Sequence, residues 1–381
     1  PTELASTTGP APTEVGSDAG TATEPTGPEP APAGPPPTER LAGPGPVDRA
    51  PTAGAPRTMP RPRWVPIGAG LAAVAALAVV AVLVLGGGGD GGDGGGGFVP
   101  PAIAGQPINA AGFPVGVSVA DGTVAVATRE GERVALFDEG GKPVGEIGLP
   151  GPGEGVTIAG GDAWATVPGS DLVVRSPLGG GGDVPIPVGD RPMGITSDGD
   201  TIWVVNADGR SLSAVDPASN SAAAPVALDD AAFPVDVAAG AGSLWVVDRE
   251  AEILVEADPS DPAGQSTSSL GANPKGVVVG AGSVWVANTD SGNVVRLSTD
   301  GTEQNEIRVG GEPRLLAYGF GRVWVANGNG SVQAIDPAGD NAVQSVDVPG
   351  SPEGVAIGSD QVWVTTGDGD QLVRIDPGGA G

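Results

Sequence analysis

The 381-residue sequence contains neither cysteine nor histidine. Without cysteine the fold has no disulfide to close it and no thiolate to act as nucleophile or metal ligand. Without histidine there is no Ser-His-Asp or Cys-His centre, and the two absences together remove the usual zinc and copper ligand sets. Positive charge is also scarce. Two lysines (Lys142 and Lys275) and sixteen arginines face 46 acidic residues, for a net charge of −28. From residue 65 onward 39 acids face 13 bases, a balance of −26 that repels nucleic acid and anionic lipid, so no nucleic-acid partner is expected. The preference for arginine over lysine, with heavy use of Ala, Gly and Val, suits a GC-rich bacterial genome.

What is present is periodic. A segment of about 39 residues recurs seven times from Pro114 to the C-terminus, aligned on Ala125, Trp164, Trp203, Trp245, Trp285, Trp324 and Trp363. A second landmark nine residues upstream, usually Pro-x-Gly-Val, keeps the same register at Gly116, Gly155, Gly194, Asp236, Gly276, Leu315 and Gly354. In the fifth copy, β-branched runs at 276–279, 284–288, 294–297 and 306–309 are separated by Gly-, Asp- and Asn-rich turns. Four short strands joined by tight turns make one antiparallel blade, and seven copies make an all-β, seven-bladed propeller. The second run of each copy is apolar on both faces, as in a sheet covered on both sides, and its Trp is expected to fill the gap between blades. The outer strands, such as Val184-Pro185-Ile186-Pro187-Val188, carry proline or polar residues suited to an edge. The seventh copy stops after its third strand. The segment before the first copy resembles the missing fourth, so a strand near 106–111 is expected to complete the last blade and close the ring.

The remainder divides by composition. Residues 1–64 are rich in Pro, Ala, Thr and Gly and carry almost no large apolar side chains, which predicts a disordered cytoplasmic segment. Residues 65–85 hold no charge and eleven Val, Leu and Ile, enough for a transmembrane helix. Arg57, Arg61 and Arg63 precede this span, while only Asp90 and Asp93 follow it closely. The positive-inside rule therefore places the N-terminus in the cytoplasm and residues 98–381 outside a bacterial cell. The small residues Gly68, Ala72 and Ala76 form a stripe on which two such helices would pack into a dimer. Residues 86–97 read as a glycine-rich tether.

The chemistry on offer is limited. Asp198-Gly199-Asp200 and Asp368-Gly369-Asp370 have a calcium-loop look but lack its later carboxylates, and they fall where the repeat needs a hairpin turn. The Asp-Pro pairs at 216, 258, 336 and 376 likewise end the third strands, and Asn206, Asn288 and Asn327 read as turn caps. No metal ligand set, no cofactor and no catalytic motif emerge, so the chain is not expected to be an enzyme. Binding is sought where the copies differ. The middle residue of Pro-x-Gly, at the mouth of the central channel, reads Val115, Glu154, Met193, Val235, Lys275, Arg314 and Glu353. Hairpins reaching the same face bring Arg129, Arg210, Arg249 and Asp290. Lys275 and Arg314, with Glu154, Glu353, Met193 and Arg191 around the same face, are the candidate site for a small anionic ligand, acidic peptide or cell-wall component.

The Pro-x-Gly-Val, Trp-Val-x-Asn and Val-x-x-Ile-Asp-Pro elements resemble the bacterial YVTN/NHL-like propeller superfamily, with Trp285 to Asn288 and Trp324 to Asn327 standing where that family often has Tyr-Val-Thr-Asn. The resemblance covers about 275 residues. It implies a propeller and leaves activity open, because function resides in sites carried by the fold. The superfamily includes streptogramin lyases, whose catalysis uses a histidine that this chain lacks, and sugar lactonases, whose metal is held by carboxylates and Asn in the channel. A lactonase-like metal-dependent hydrolase is thus one alternative function, and a structural cell-surface platform another. The order of segments (Pro-rich linker, arginines, membrane helix, tether, propeller) resembles the C-terminal part of actinobacterial receptor-type Ser/Thr protein kinases. This implies an extracellular sensor, with a kinase domain upstream of Pro1.

Overall fold

A computed structural model describes residues 98–380. The segment 1–64, the span 65–85 with its Gly68, Ala72 and Ala76 stripe, and the tether 86–97 lie outside the described residues. Among the described residues no helix is long and apolar enough to cross a membrane.

The seven repeats form seven antiparallel sheets. Their first strands, Pro114–Ala120, Val156–Ala159, Pro192–Ser197, Pro234–Gly240, Pro274–Gly280, Pro313–Gly319 and Pro352–Ile357, each touch the first strands on either side, and the seventh touches the first. These strands therefore ring a central channel. The fifth blade, Pro274–Gly280, Ser283–Asn288, Asn293–Leu297 and Glu303–Arg308, shows the four expected strands. Its outer strand begins three residues before the sequence pattern suggests, because a polar edge strand carries little hydrophobic signal. In the third blade the outer strand is split into Ser221–Ala222 and Val226–Ala227, with Pro225 at the break.

Four of the seven second strands are buried along their whole length and the other three at every residue but the first, as their two apolar faces require. All six tryptophans of the register are buried, and each packs with the following blade. Trp285, for example, lies against Leu316, Val323, Val325 and Ile335. A side chain of that size removes roughly 4–6 kcal/mol worth of apolar surface from water. Four of these indoles also donate Nε1–H to the carbonyl five residues earlier, Trp285 to Gly280 at 2.9 Å among them.

The ring closes without a covalent bond. Ile108–Asn109 pairs with Leu372 and Gln371 of the last blade, and Ala102–Ile103 pairs with Asp376 and Ile375. Asp370 reinforces the seam by accepting the Gly112 and Phe113 N–H groups at 3.0 and 2.9 Å. A further two-residue pairing, Phe98–Val99 with Gly379–Ala380, lies at the chain ends.

Turns at the end of the channel away from its mouth account for the acidic motifs other than Asp368-Gly369-Asp370, which lies in a hairpin after a second strand. Asp198 accepts N–H groups from Asp200 and Thr201 and the Trp203 indole N–H at 2.7 Å. Asp216, Asp258, Asp336 and Asp376 each accept the backbone N–H two residues on. Arginines bind the carbonyls beside these turns from the preceding blade: Arg296 reaches Pro337 at 2.9 Å and Asp340 at 2.6 Å while lying 5.0 Å from the Trp285 ring. Arg175 does the same with Pro217 and Asn220, and Arg322 reaches Pro377.

Candidate functional site

A cavity of about 440 Å³ occupies the channel between the first strands. Antiparallel alternation brings two sets of side chains to its mouth, the x of each Pro-x-Gly and the hairpins after the second strands. Of the residues singled out from sequence, Lys275, Arg314, Glu154, Glu353 and Met193 line this cavity, together with Arg129 and Arg249 from the hairpins. Arg191 does not. It stands over the Phe233 ring at 5.1 Å, opposite Arg249 at 4.5 Å, with Asp208 3.8 Å away. Arg210 and Asp290 also stay outside; Asp290 accepts a hydrogen bond from Asn273 instead.

Most charges at the mouth are already paired across blade boundaries. Arg129 grips Glu154 through two nitrogens, at 2.7 and 2.5 Å. Arg314 pairs with Glu353 and approaches Glu312 at 3.5 Å. Lys275 differs: half-buried, it makes no ion pair or hydrogen bond among the described residues. Burial is the main influence that lowers its pKa from the ordinary lysine value, followed by repulsion from Arg314. The mouth therefore holds one cation with no direct ion pair, flanked by Arg249 and Arg314 and offset only at a distance by Glu353 and Glu312.

Sequence reasoning missed Asp236, although it broke the pattern. At five of the seven Pro-x-Gly positions the glycine is obligatory, because neighbouring first strands approach closely. A Cβ on Gly116 would stand 2.5 Å from the Glu154 carbonyl, and one on Gly155 2.6 Å from that of Met193. The fourth blade has Asp236 there, and it lines the same cavity. Its Oδ2 accepts the Val277 N–H at 3.0 Å. Although part of its surface still meets the channel, the protein around it desolvates the carboxyl and pushes its pKa up to about 7.

No three acidic side chains converge on a metal-sized site among the described residues. Two of the acids at the mouth, Glu154 and Glu353, are committed to arginines. Asn206, Asn288 and Asn327 are fully buried, with Asn206 and Asn288 turned into their own hairpins. Among the described residues no carboxylate and Asn set of the kind expected for a lactonase-like hydrolase is gathered in the channel.

No protein-family model matches the chain, and no curated protein does. Solved structures do. A streptogramin B lyase is similar with TM-score 0.65 and 18% identity, over 71% of this chain and 96% of that one. The virginiamycin B lyase of Staphylococcus aureus gives 0.64 and 18%, over 71% and 98%. The hydrazine synthase of Kuenenia stuttgartiensis gives 0.63 and 14%, over 69% and 95%. At these identities the likeness is one of fold, that of streptogramin B lyase-type propellers. It corrects the expectation that the chain is not an enzyme, since propellers of this shape include lyases. Absent histidine removes only the reactions that need it. The structure gathers Lys275 and Asp236 in one cavity; burial lowers the lysine from its ordinary value and pushes Asp236 up to about 7, where a carboxyl is able to exchange a proton near neutrality.

Proposed function

We propose that the propeller recognises a small anionic molecule at the mouth of its channel, with Lys275 as the anchoring cation. The observation that carries this reading is the isolation of Lys275: a half-buried ammonium without a partner, in a domain of strongly negative charge. An anion entering there forms a charge-assisted hydrogen bond in a partly desolvated setting, where such bonds are strongest. Arg249 and Arg314 add positive potential, Arg314 less because Glu353 already holds it. The reading covers a propeller that only binds and one that also transforms its ligand, since both begin with the anion on Lys275.

The span 65–85 supports a wider setting for the same site. In it the propeller is anchored to a bacterial membrane and faces outward as a sensor, in the manner of the receptor-kinase layout that the chain resembles. Calorimetric titration of the chain with propionate tests the site. Binding that Lys275→Ala abolishes sustains it, and binding unchanged by Lys275→Ala plus Arg314→Ala refutes it. Protease digestion of intact cells tests the setting: an outward propeller is cut, and an internal one is protected.

A further inference from the structure

The channel wall carries a second polar group that an anion on Lys275 leaves unused. Asp236 occupies a position where the repeat has glycine, one residue along the first strand from Val235, the equivalent of Lys275 in the neighbouring blade. Its Oδ2 takes the Val277 N–H, the Val237 N–H also stabilises the carboxylate, and its Oδ1 faces Gly194, where a Cβ would stand 2.9 Å away. No arginine or lysine pairs with it among the described residues. Ile195, Val237, Val277 and Val278 line the same cavity.

A desolvated carboxyl without a counter-ion is costly when ionised, so it either keeps its proton or receives a cation. Arg129 and Arg314 are bound to Glu154 and Glu353, and Lys275 and Arg249 make no ion pair with Asp236. Among the described residues, one cavity of about 440 Å³ thus presents a cation without an ion-pair partner at its mouth and a carboxyl without one in its wall. That volume suits a molecule able to touch both.

Building on the anion site at Lys275, we infer that the ligand is an amino carboxylate, a free amino acid or similar small zwitterion, whose carboxylate meets Lys275 and whose ammonium meets Asp236. The ammonium brings the positive charge that the fold withholds from this carboxyl, and its N–H groups take up the acceptor capacity that the two backbone N–H groups leave on the carboxylate. A simple monocarboxylate satisfies Lys275 alone and leaves Asp236 as it was.

Titration of the full chain with matched pairs of probes tests this: propionate against β-alanine, and butyrate against γ-aminobutyrate. The amino compound of a pair is expected to bind about tenfold more tightly than its plain partner. Asp236→Asn removes that advantage while changing the affinity for the plain carboxylate by less than about twofold. Equal affinities within both pairs overturn the amine pole and leave the anion site standing. Failure of all four probes to bind overturns both. The wild-type comparison decides the matter even if the variant folds poorly.

Discussion

Arginine serves opposite ends at the two ends of this propeller. At the far end Arg175, Arg296 and Arg322 recur at blade boundaries, and each reaches a carbonyl in a turn of the next blade. At the mouth the charges follow no such rule. Arg129 and Arg314 pair with the x residue of the next blade, Arg249 and Arg191 lie on either side of Phe233, and Lys275 pairs with nothing. One end uses a turn that recurs, Asp-Pro, as the acceptor for these arginines and so locks blades together. The other is built from what they do not share and leaves charge unspent. In a repeat protein, stability is a property of the consensus, and recognition is a property of its exceptions.

The contrast is breakable by substitution. The largest effect is expected at the shared core: Trp285→Ala should destabilise the propeller by about 3–5 kcal/mol in denaturant unfolding, through lost burial and the cavity left between blades five and six. A loss near zero would mean the register Trp is not what joins blades. Asp236→Asn should act in the other direction. The folded-state pKa of Asp236 is raised to about 7 from 3.8, so the wild type loses stability as pH rises from about 4 to 7 and levels off above. The variant escapes that loss, gaining a few kcal/mol at pH 8 and progressively less toward pH 4, readable as melting temperature against pH. A flat difference across that range would show that Asp236 does not titrate as its surroundings demand. Arg296→Ala should cost about 1–3 kcal/mol and leave propionate binding intact, because it removes hydrogen bonds at the far end only. Lys275→Ala should change stability by less than about 0.5 kcal/mol, since it breaks no pairing, while abolishing that binding.

The fold was legible because two landmarks, Trp and Pro-x-Gly, mark positions where geometry permits little else: an indole between blades, and a backbone with no room for a Cβ. The outer strands were less so. Glu303–Arg308 faces solvent and carries almost no periodicity. At the site, divergence at x identified Lys275, Arg314, Glu154, Glu353 and Met193, all of which reach the cavity. It did not show which of them were already taken. The Arg314 to Glu353 pair spans one full repeat, a separation that becomes contact only once neighbouring blades are set side by side. Arg191, expected on the same face, has a left-handed φ of 56° and its side chain lies on Phe233 instead. Asp236 is visible in the sequence as an exception to glycine, but its consequence depends on how little solvent reaches it, which only the fold shows.

With only two lysines in the chain, the central claim has a direct measurement. Trace acylation of amines, followed by peptide mass spectrometry, reports Lys275 and the exposed Lys142 separately in one sample. The account predicts that Lys275 titrates below the ordinary lysine value and that γ-aminobutyrate shields it while Lys142 continues to react. Equal labelling of both lysines with and without the probe would contradict it.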